Sequence, residues 1–175
     1  IGTQPGWIQS DGTAVSSDDY RARVYRIRSD WETLTRAQVK QDAAEINSIS
    51  IASVTDAQCD EVIAQYKLDW EEWPGDLGAP YVDVNENGAW DAGVDKPGIA
   101  NADQVVWLVI NDLDESKTLE LYGSKPIGLE IQITLWGYNQ PGAALGQLVF
   151  KKIKMINKSQ YDVDSMFVSQ WCDPD

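Results

Sequence analysis

One short segment, residues 83–95, constrains the fold more than any other part of the chain. Asp83, Asn85, Asn87 and Asp91 occupy its positions 1, 3, 5 and 9, and Gly88 occupies position 6. A hard cation such as Ca²⁺ takes about six to eight oxygen ligands, so a short loop must turn alternate side chains inward and bend sharply. Glycine permits the bend because it tolerates positive φ angles. The spacing therefore predicts a calcium-binding loop.

This loop resembles those of EF-hands, dockerins and thrombospondin type 3 repeats. Position 12, which usually carries a bidentate acid in such loops, is Val94 here, and the next acid is Asp95. The closing ligand is therefore either Asp95 or the more distant Asp103. The expected ligands are Asp83, Asn85, Asn87, the main-chain carbonyl of Ala89, Asp91 and Asp95.

Two of these ligands are neutral amides, and no pair of EF-type helices flanks the loop. We therefore expect a structural Ca²⁺ ion held weakly, with a dissociation constant on the order of 0.1–1 mM, as in extracellular modules. The alternative is a turn without a metal, because Asn, Asp and Gly also favour turns for backbone reasons alone.

Composition favours an extracellular or cell-surface protein. The chain has 28 acidic and 14 basic residues and a formal net charge of −14, so it should repel nucleic acids and anionic membranes and attract cations. No apolar run approaches the roughly 20 residues that span a bilayer. Residues 1–18 have the composition of a flexible lead-in or assembly arm. The first residue, Ile1, and the ending at residues 171–175 favour a segment of a longer polypeptide.

The two cysteines leave three alternatives open. Cys59 and Cys172 can form a disulfide in an oxidising compartment, or remain two thiols, or Cys172 can pair outside this segment.

Hydrophobic patterning predicts an α+β fold, mainly an antiparallel β-sandwich-like sheet with an inserted helical hairpin and the calcium loop, in a single domain over residues 19–175. The hairpin is expected over residues 35–73, with Thr35 and Thr55 as N-caps. Its buried stripe comprises Val62, Ile63, Tyr66, Trp70 and Trp73. We expect the hairpin to pack on the sheet as an insertion or a lid.

Five segments have the character of strands. In residues 20–28 arginines alternate with aromatic and aliphatic residues, so we expect Tyr20, Ala22, Val24 and Arg26 on one face and the other arginines opposite, paired with carboxylates. The continuous apolar run 104–110 predicts a strand buried on both faces. Residues 127–138 alternate between an aliphatic and a mainly polar set. The last two predicted strands are 148–156 and 163–171. We expect open strand edges to offer sites for self-assembly or for other surface proteins.

Several motifs together resemble the amino-terminal region of large secreted bacterial surface proteins of the type IX secretion kind. They are residues 20–28, 69–74, 78–83, 102–107, 122–124 and 156–159. The resemblance implies a cell-surface or extracellular location, and it implies no activity.

The absence of histidine excludes Ser-His-Asp and Cys-His nucleophile systems within the segment. The carboxylates Glu71, Glu72, Asp112, Asp114 and Glu115 are candidates for a glycosidase-like pair, but solvated turns and helix ends explain them better, so we expect no enzyme. The sequence favours a calcium-stabilised extracellular structural protein, a subunit of a surface layer, fibre or filament. The alternative is a carbohydrate-binding or adhesive module, since Trp7, Trp31, Trp90 and Trp136 could stack on sugar rings if three lined one exposed groove.

Overall fold

The computed structural model describes residues 2–169, which form the expected α+β fold with an antiparallel sheet. The helices are α1 (Arg36–Asn47), α2 (Asp56–Glu71) and α3 (Glu115–Tyr122). The strands are β1 (Gln4–Pro5), β2 (Tyr25–Arg28), β3 (Tyr81–Val82), β4 (Lys96–Pro97), β5 (Gln104–Asn111), β6 (Leu129–Gly137) and β7 (Val149–Asn157).

Five of the strands form one sheet around β5. The strand β6 pairs with β5 along its whole length, and β7 pairs with the other side of β6. Both β1 and β2 pair with β5, β1 at its end and β2 at its start. The strands β3 and β4 form a separate two-stranded ribbon. One five-stranded sheet and a ribbon thus take the place of the two extended sheets that a sandwich would have.

The two faces of the sheet have opposite character. The core face carries Tyr25, Ile27, Val105, Trp107 and Val109, all fully or almost fully buried. Because side chains alternate along a strand and Trp107 lies opposite Thr134, the mainly polar set of β6 also points into this core. It comprises Glu130, Gln132, Thr134 and Trp136, of which the first three are buried.

The opposite face is aliphatic and incompletely covered, and we call it the aliphatic face. Its side chains are half-buried or exposed: Val106, Leu108, Ile110, Ile131, Ile133, Leu135, Ile153 and Met155. The expectation that residues 104–110 are buried on both faces is therefore wrong for the described chain. Burial alternates strictly along β5, because packed side chains cover its core face fully and its other face only in part.

The helical hairpin has the predicted position and caps. Both α1 and α2 begin with a capping box, in which the Thr35 or Thr55 hydroxyl accepts the N–H three residues later and the Gln38 or Gln58 side chain accepts the N–H of the cap. The buried contacts between the helices centre on Val39, Ala43, Cys59, Val62 and Tyr66. Ile63 and Trp70 in the predicted stripe are half-buried, whereas Trp73 joins the core of the sheet. Among residues 2–169, no helix is both long and apolar enough to cross a bilayer.

The arginine-rich strand is shorter than predicted, and its inward residues differ. It begins only at Tyr25, and Tyr25 and Ile27 point into the core, whereas Val24 is exposed and Arg26 lies on the same face as Arg28. A turn before the strand, held by the Asp19 carbonyl and carboxylate, shifts the register away from the one predicted.

The predicted pairing of the arginines with carboxylates is confirmed. Ion pairs link Arg21 to Asp76, Arg23 to Asp69 and Glu72, and Arg28 to Asp30 and Asp42. These pairs join the segment before and along β2 to α1, α2 and the turn after α2.

Two other expectations for the second half of the chain are wrong. The sequence pattern predicts only strands after residue 104, but α3 forms over Glu115–Tyr122, with the Asp114 carboxylate accepting the Ser116 N–H as its cap. Residues 163–169 form no strand, because they leave the sheet beyond β7 and find no strand partner in the described chain. Residues 170 and 171 of that predicted strand lie outside the described residues, as does Cys172, so the three alternatives for the cysteines stay open.

The lead-in expected over residues 1–18 is attached to the sheet at its first part. Gln4 and Pro5 pair with β5, and Ile8 is buried with its N–H donated to Glu130 at 2.9 Å. Residues 9–18 are mostly exposed.

Candidate metal site

The candidate loop is the connection between the two strands of the ribbon. Val82 lies opposite Lys96 and Tyr81 opposite Pro97, so the antiparallel pairing brings both ends of segment 83–95 together. Gly88 has φ +79°, which is the left-handed conformation that the sequence predicted for the bend. The pairing of β3 with β4 thus closes segment 83–95 into a loop whose two ends lie side by side.

Four predicted ligand side chains converge inside this loop. The Asp83 carboxylate accepts the N–H groups of Asn87 and Gly88, at 3.2 and 2.7 Å. The amide nitrogens of Asn85 and Asn87 lie 2.9 and 2.5 Å from the same Asp91 oxygen, Oδ2. Positions 1, 3, 5 and 9 therefore point toward one another, as a cation-binding loop requires.

Asp95, the predicted closing ligand, has a main-chain role in the structure. It is 5% exposed, and its two oxygens accept the N–H groups of Val84 at 2.9 Å and of Asp91 at 2.8 Å. A carboxylate that bridges the start and the end of the loop in this way holds position 9 at the interior. The alternative closing residue, Asp103, accepts the N–H of Asn139 instead and makes no hydrogen bond to the loop within residues 2–169.

The donor set fits Ca²⁺ better than a transition metal. Across the described part of the chain, no three His, Cys, Asp or Glu side chains are grouped as a metal centre. A cation in the loop would therefore depend on the Asn85 and Asn87 amides and the Ala89 carbonyl, together with Asp83 and Asp91. An amide presents oxygen in place of nitrogen after a half-turn, and neutral and charged oxygens are the ligands that Ca²⁺ accepts.

The side chain of Trp90 connects the loop to the core of the protein. Its ring lies 5.2 Å from that of Tyr81 in an edge-to-face arrangement, and it packs directly over Gly75. Gly75 starts the short 3-10 turn after α2, and Trp90 also contacts the core cluster of the sheet. The position of the loop is thus coupled to the junction between the helical hairpin and the sheet.

The carboxylates that could have formed a catalytic pair are engaged in structural contacts. Glu72 pairs with Arg23, Glu71 with Lys67 and Glu115 with Lys125. Asp112 accepts the N–H groups of three consecutive residues, Ile127, Gly128 and Leu129, and so anchors the start of β6.

Two structural carboxylates were missed by sequence reasoning. Asp69 is 1% exposed and accepts N–H groups from the Arg26 main chain, Gln65 and Arg23. Burial raises the pKa of its carboxyl above the ordinary value, against the lowering effect of those hydrogen bonds. The other is Glu130, 2% exposed, which binds the Ile8 N–H and Gln132. Asp69 follows the buried Tyr66 by three residues on α2, and this place in the apolar stripe was the available signal. Glu130 belongs to the mainly polar set of β6, so nothing in the sequence indicated its burial.

The tryptophans proposed as a sugar platform are all half-buried. Trp7, Trp90 and Trp136 pack against the core of the sheet, and Trp31 packs against the helical hairpin. Trp7 also lies under the Arg21 guanidinium, and Trp136 stacks on Phe150 at 5.4 Å. This arrangement gives the carbohydrate-binding alternative no support beyond the sequence.

Comparison of the chain with protein-family models, curated proteins and solved structures finds no match. The inference of function therefore rests on the loop and on the surfaces of the sheet.

Proposed function

We propose that this chain is a calcium-stabilised extracellular structural protein, a subunit of a cell-surface layer, fibre or filament. The observation that carries the proposal is the convergence of Asp83, Asn85, Asn87 and Asp91 inside one closed loop. A Ca²⁺ ion there would cross-link the two halves of the loop, and Trp90 would transmit that rigidity to the core.

The proposed location follows from the strength of such a site. Two neutral amides among the ligands give a dissociation constant on the order of 0.1–1 mM, which only calcium-rich extracellular surroundings would satisfy. The net charge of −14 and the resemblance to secreted bacterial surface proteins support the same location. Nucleic acids and membrane insertion have no place in this proposal.

Two surfaces support a role in assembly. The aliphatic face leaves a row of Val, Leu and Ile side chains incompletely covered, and monomeric proteins rarely expose large continuous apolar surfaces. In addition, β7 pairs on one side only among residues 2–169, so its other edge offers free main-chain groups there. Both features are typical of a chain that functions in contact with neighbours.

Thermal melting of matched variants tests the calcium part of the proposal. At about 10 mM Ca²⁺, a site of this strength should add about 1.5–3 kcal/mol to the free energy of unfolding, or about 3–10 °C in Tm, relative to chelator. Asp91→Asn should lose this increment, because it removes a charged ligand. Glu86→Gln is the matched control, because it removes the same charge from the same loop. The Glu86 side chain makes no hydrogen bond in the described chain, whereas Asp91 accepts one from Asn85, so this variant should keep the increment.

Two results would contradict the proposal. One is a wild-type Tm that is equal in Ca²⁺ and in chelator. The other is an Asp91→Asn variant with a full calcium increment.

A further inference from the structure

The segment that follows β7 has the properties of a strand without a partner. Residues 162–169 make no hydrogen bond through their main chain to any other described residue. Met166, Phe167 and Val168 are nevertheless apolar and 42%, 93% and 66% exposed. Exposed apolar side chains on an unpaired main chain are costly in water and indicate a missing contact.

The free edge of β7 has the complementary deficit. Its outer N–H and C=O groups have no partner strand among residues 2–169. Val149 and Ile153 are 78% and 45% exposed, so apolar contacts are also unfilled along this edge. Nine residues of β7 are available. Seven extended residues, 162–168, would cover about 23 Å of that length at about 3.3 Å per residue.

Charge decides which strand fits this edge. Lys151, Lys152 and Lys154 make β7 basic within a chain of net charge −14. Edge lysines prevent β7 from pairing with another copy of β7, because like charges would then face each other. The free segment carries Asp162 and Asp164, two residues apart, as are Lys152 and Lys154 on the core side of β7.

The segment does not occupy the edge of its own β7. After Asn157, the Lys158 N–H continues the pairing to Gly128, and Asn157 and Ser159 hold Tyr161 in a local turn. Val163 then lines the same cavity as Ile8 and Ile127, near the start of β6. The strand edge and the free segment of one copy are thus both left open.

We propose that residues 162–168 of one copy add as a strand to the free edge of β7 in a second copy. This inference rests on the self-assembly part of the proposed function and names its partner. Each copy then offers one donor segment and one acceptor edge, so the contact is head-to-tail and propagates into a fibre unless it closes into a ring. Ser165, now at φ +55°, becomes extended on pairing.

A charge-swap experiment on the whole chain tests this contact. Sedimentation equilibrium should show a mass that rises with wild-type concentration. The double variants Lys152→Glu/Lys154→Glu and Asp162→Lys/Asp164→Lys should each weaken association about tenfold or more, because attractive cross-strand pairs become repulsive. An equimolar mixture of the two variants should restore association, since each donor then meets an edge of opposite charge.

The control carries the same charge change away from the edge. Lys67→Glu/Lys125→Glu alters two exposed lysines on α2 and after α3, and should leave association at the wild-type level. Cooperative melting of every variant confirms that each one is folded. A wild-type chain that stays monomeric at all concentrations would overturn the proposal, including the case in which residues 162–168 fold back on their own β7. A mixture that fails to associate would overturn it as well.

Running the same series in Ca²⁺ and in chelator separates this inference from the calcium site. Association that depends on the charge swap, without a calcium increment in Tm, would reject the calcium site and support the strand contact. A calcium increment in a strictly monomeric chain would support the calcium site and reject the strand contact.

Discussion

Gly88 is the residue on which the bend of the loop depends. Its φ of +79° suits glycine, and its N–H is donated to Asp83 at 2.7 Å. Gly12 has a similar φ of +83°, and an added Cβ meets no atom within 4 Å at either position. Both glycines therefore require a left-handed main chain, but only Gly88 lies in the candidate calcium loop.

Substitution of these two glycines separates backbone strain from metal binding. Gly88→Ala and Gly12→Ala should each cost about 1–2 kcal/mol in the free energy of unfolding, because alanine resists the left-handed conformation. Only Gly88→Ala should also reduce the calcium increment in Tm, as measured by calorimetry with and without chelator. An equal loss of the increment in both variants would show that the bend has no specific role.

Tyr66 is a second residue whose environment makes a measurable difference. It is 1% exposed, and its hydroxyl donates to Asp42 at 3.0 Å. Burial raises the pKa of Tyr66 from 10.0 to about 12. Because the folded pKa is the higher one, the stabilisation is complete below pH 10 and is lost as the pH rises toward about 12.

Urea unfolding of wild type and Tyr66→Phe between pH 8 and pH 12 tests this assignment. At the lower pH the variant should be less stable by about 1 kcal/mol, since it lacks the hydrogen bond. Above pH 10 this difference in stability should shrink, because only the wild type carries the Tyr66 phenol, which ionises more readily in the unfolded chain. A difference that stays constant over this range would place the titration elsewhere.

Among the elements, β5 shows the asymmetry of the sheet most clearly. Val105 is 3% exposed on the core face, and its neighbour Val106 is half-buried on the aliphatic face. In the monomer, Val105→Ala should cost about 2 kcal/mol and Val106→Ala less than about 1 kcal/mol. Equal losses in chemical denaturation at low protein concentration would mean that both faces are covered.

The elements that sequence predicted best are those with strong local signals. Thr35 and Thr55 begin their helices by capping boxes, and Gly88 places the bend of the loop; both signals lie within a few residues of sequence. The short helix α3 was missed, although Asp114 caps its start and Gly123 ends it in the left-handed conformation. Its eight residues carry too little periodicity to stand out from a turn.

What sequence could not give was the choice between faces and partners. The alternation in β6 was correct, yet buried Glu130 and Gln132 face the core while Ile131 and Ile133 do not. That outcome depends on long-range partners, the Ile8 N–H and the Leu77 carbonyl. For the loop, four interior side chains followed from spacing, but the role of Asp95 depended on the Val84 main chain.

At the scale of the whole molecule, the loop, the helical hairpin and the sheet meet around Trp90. The Trp90 ring packs over Gly75 just after α2, and it contacts the core that Trp107 and Tyr25 fill. A cation bound by the loop of residues 83–95 would therefore stabilise more than that loop alone. The incompletely covered aliphatic face lies on the sheet that this junction supports, and so does the edge of β7 that has no partner strand among residues 2–169.

An NMR titration with Ca²⁺ tests the central claim most directly, because it observes the loop itself. Amide signals of residues 83–95, that of Gly88 above all, and the Trp90 indole signal should shift together along one saturable curve. Its dissociation constant should be on the order of 0.1–1 mM. Amide signals that stay unchanged in this loop, at concentrations far above that range, would contradict the account.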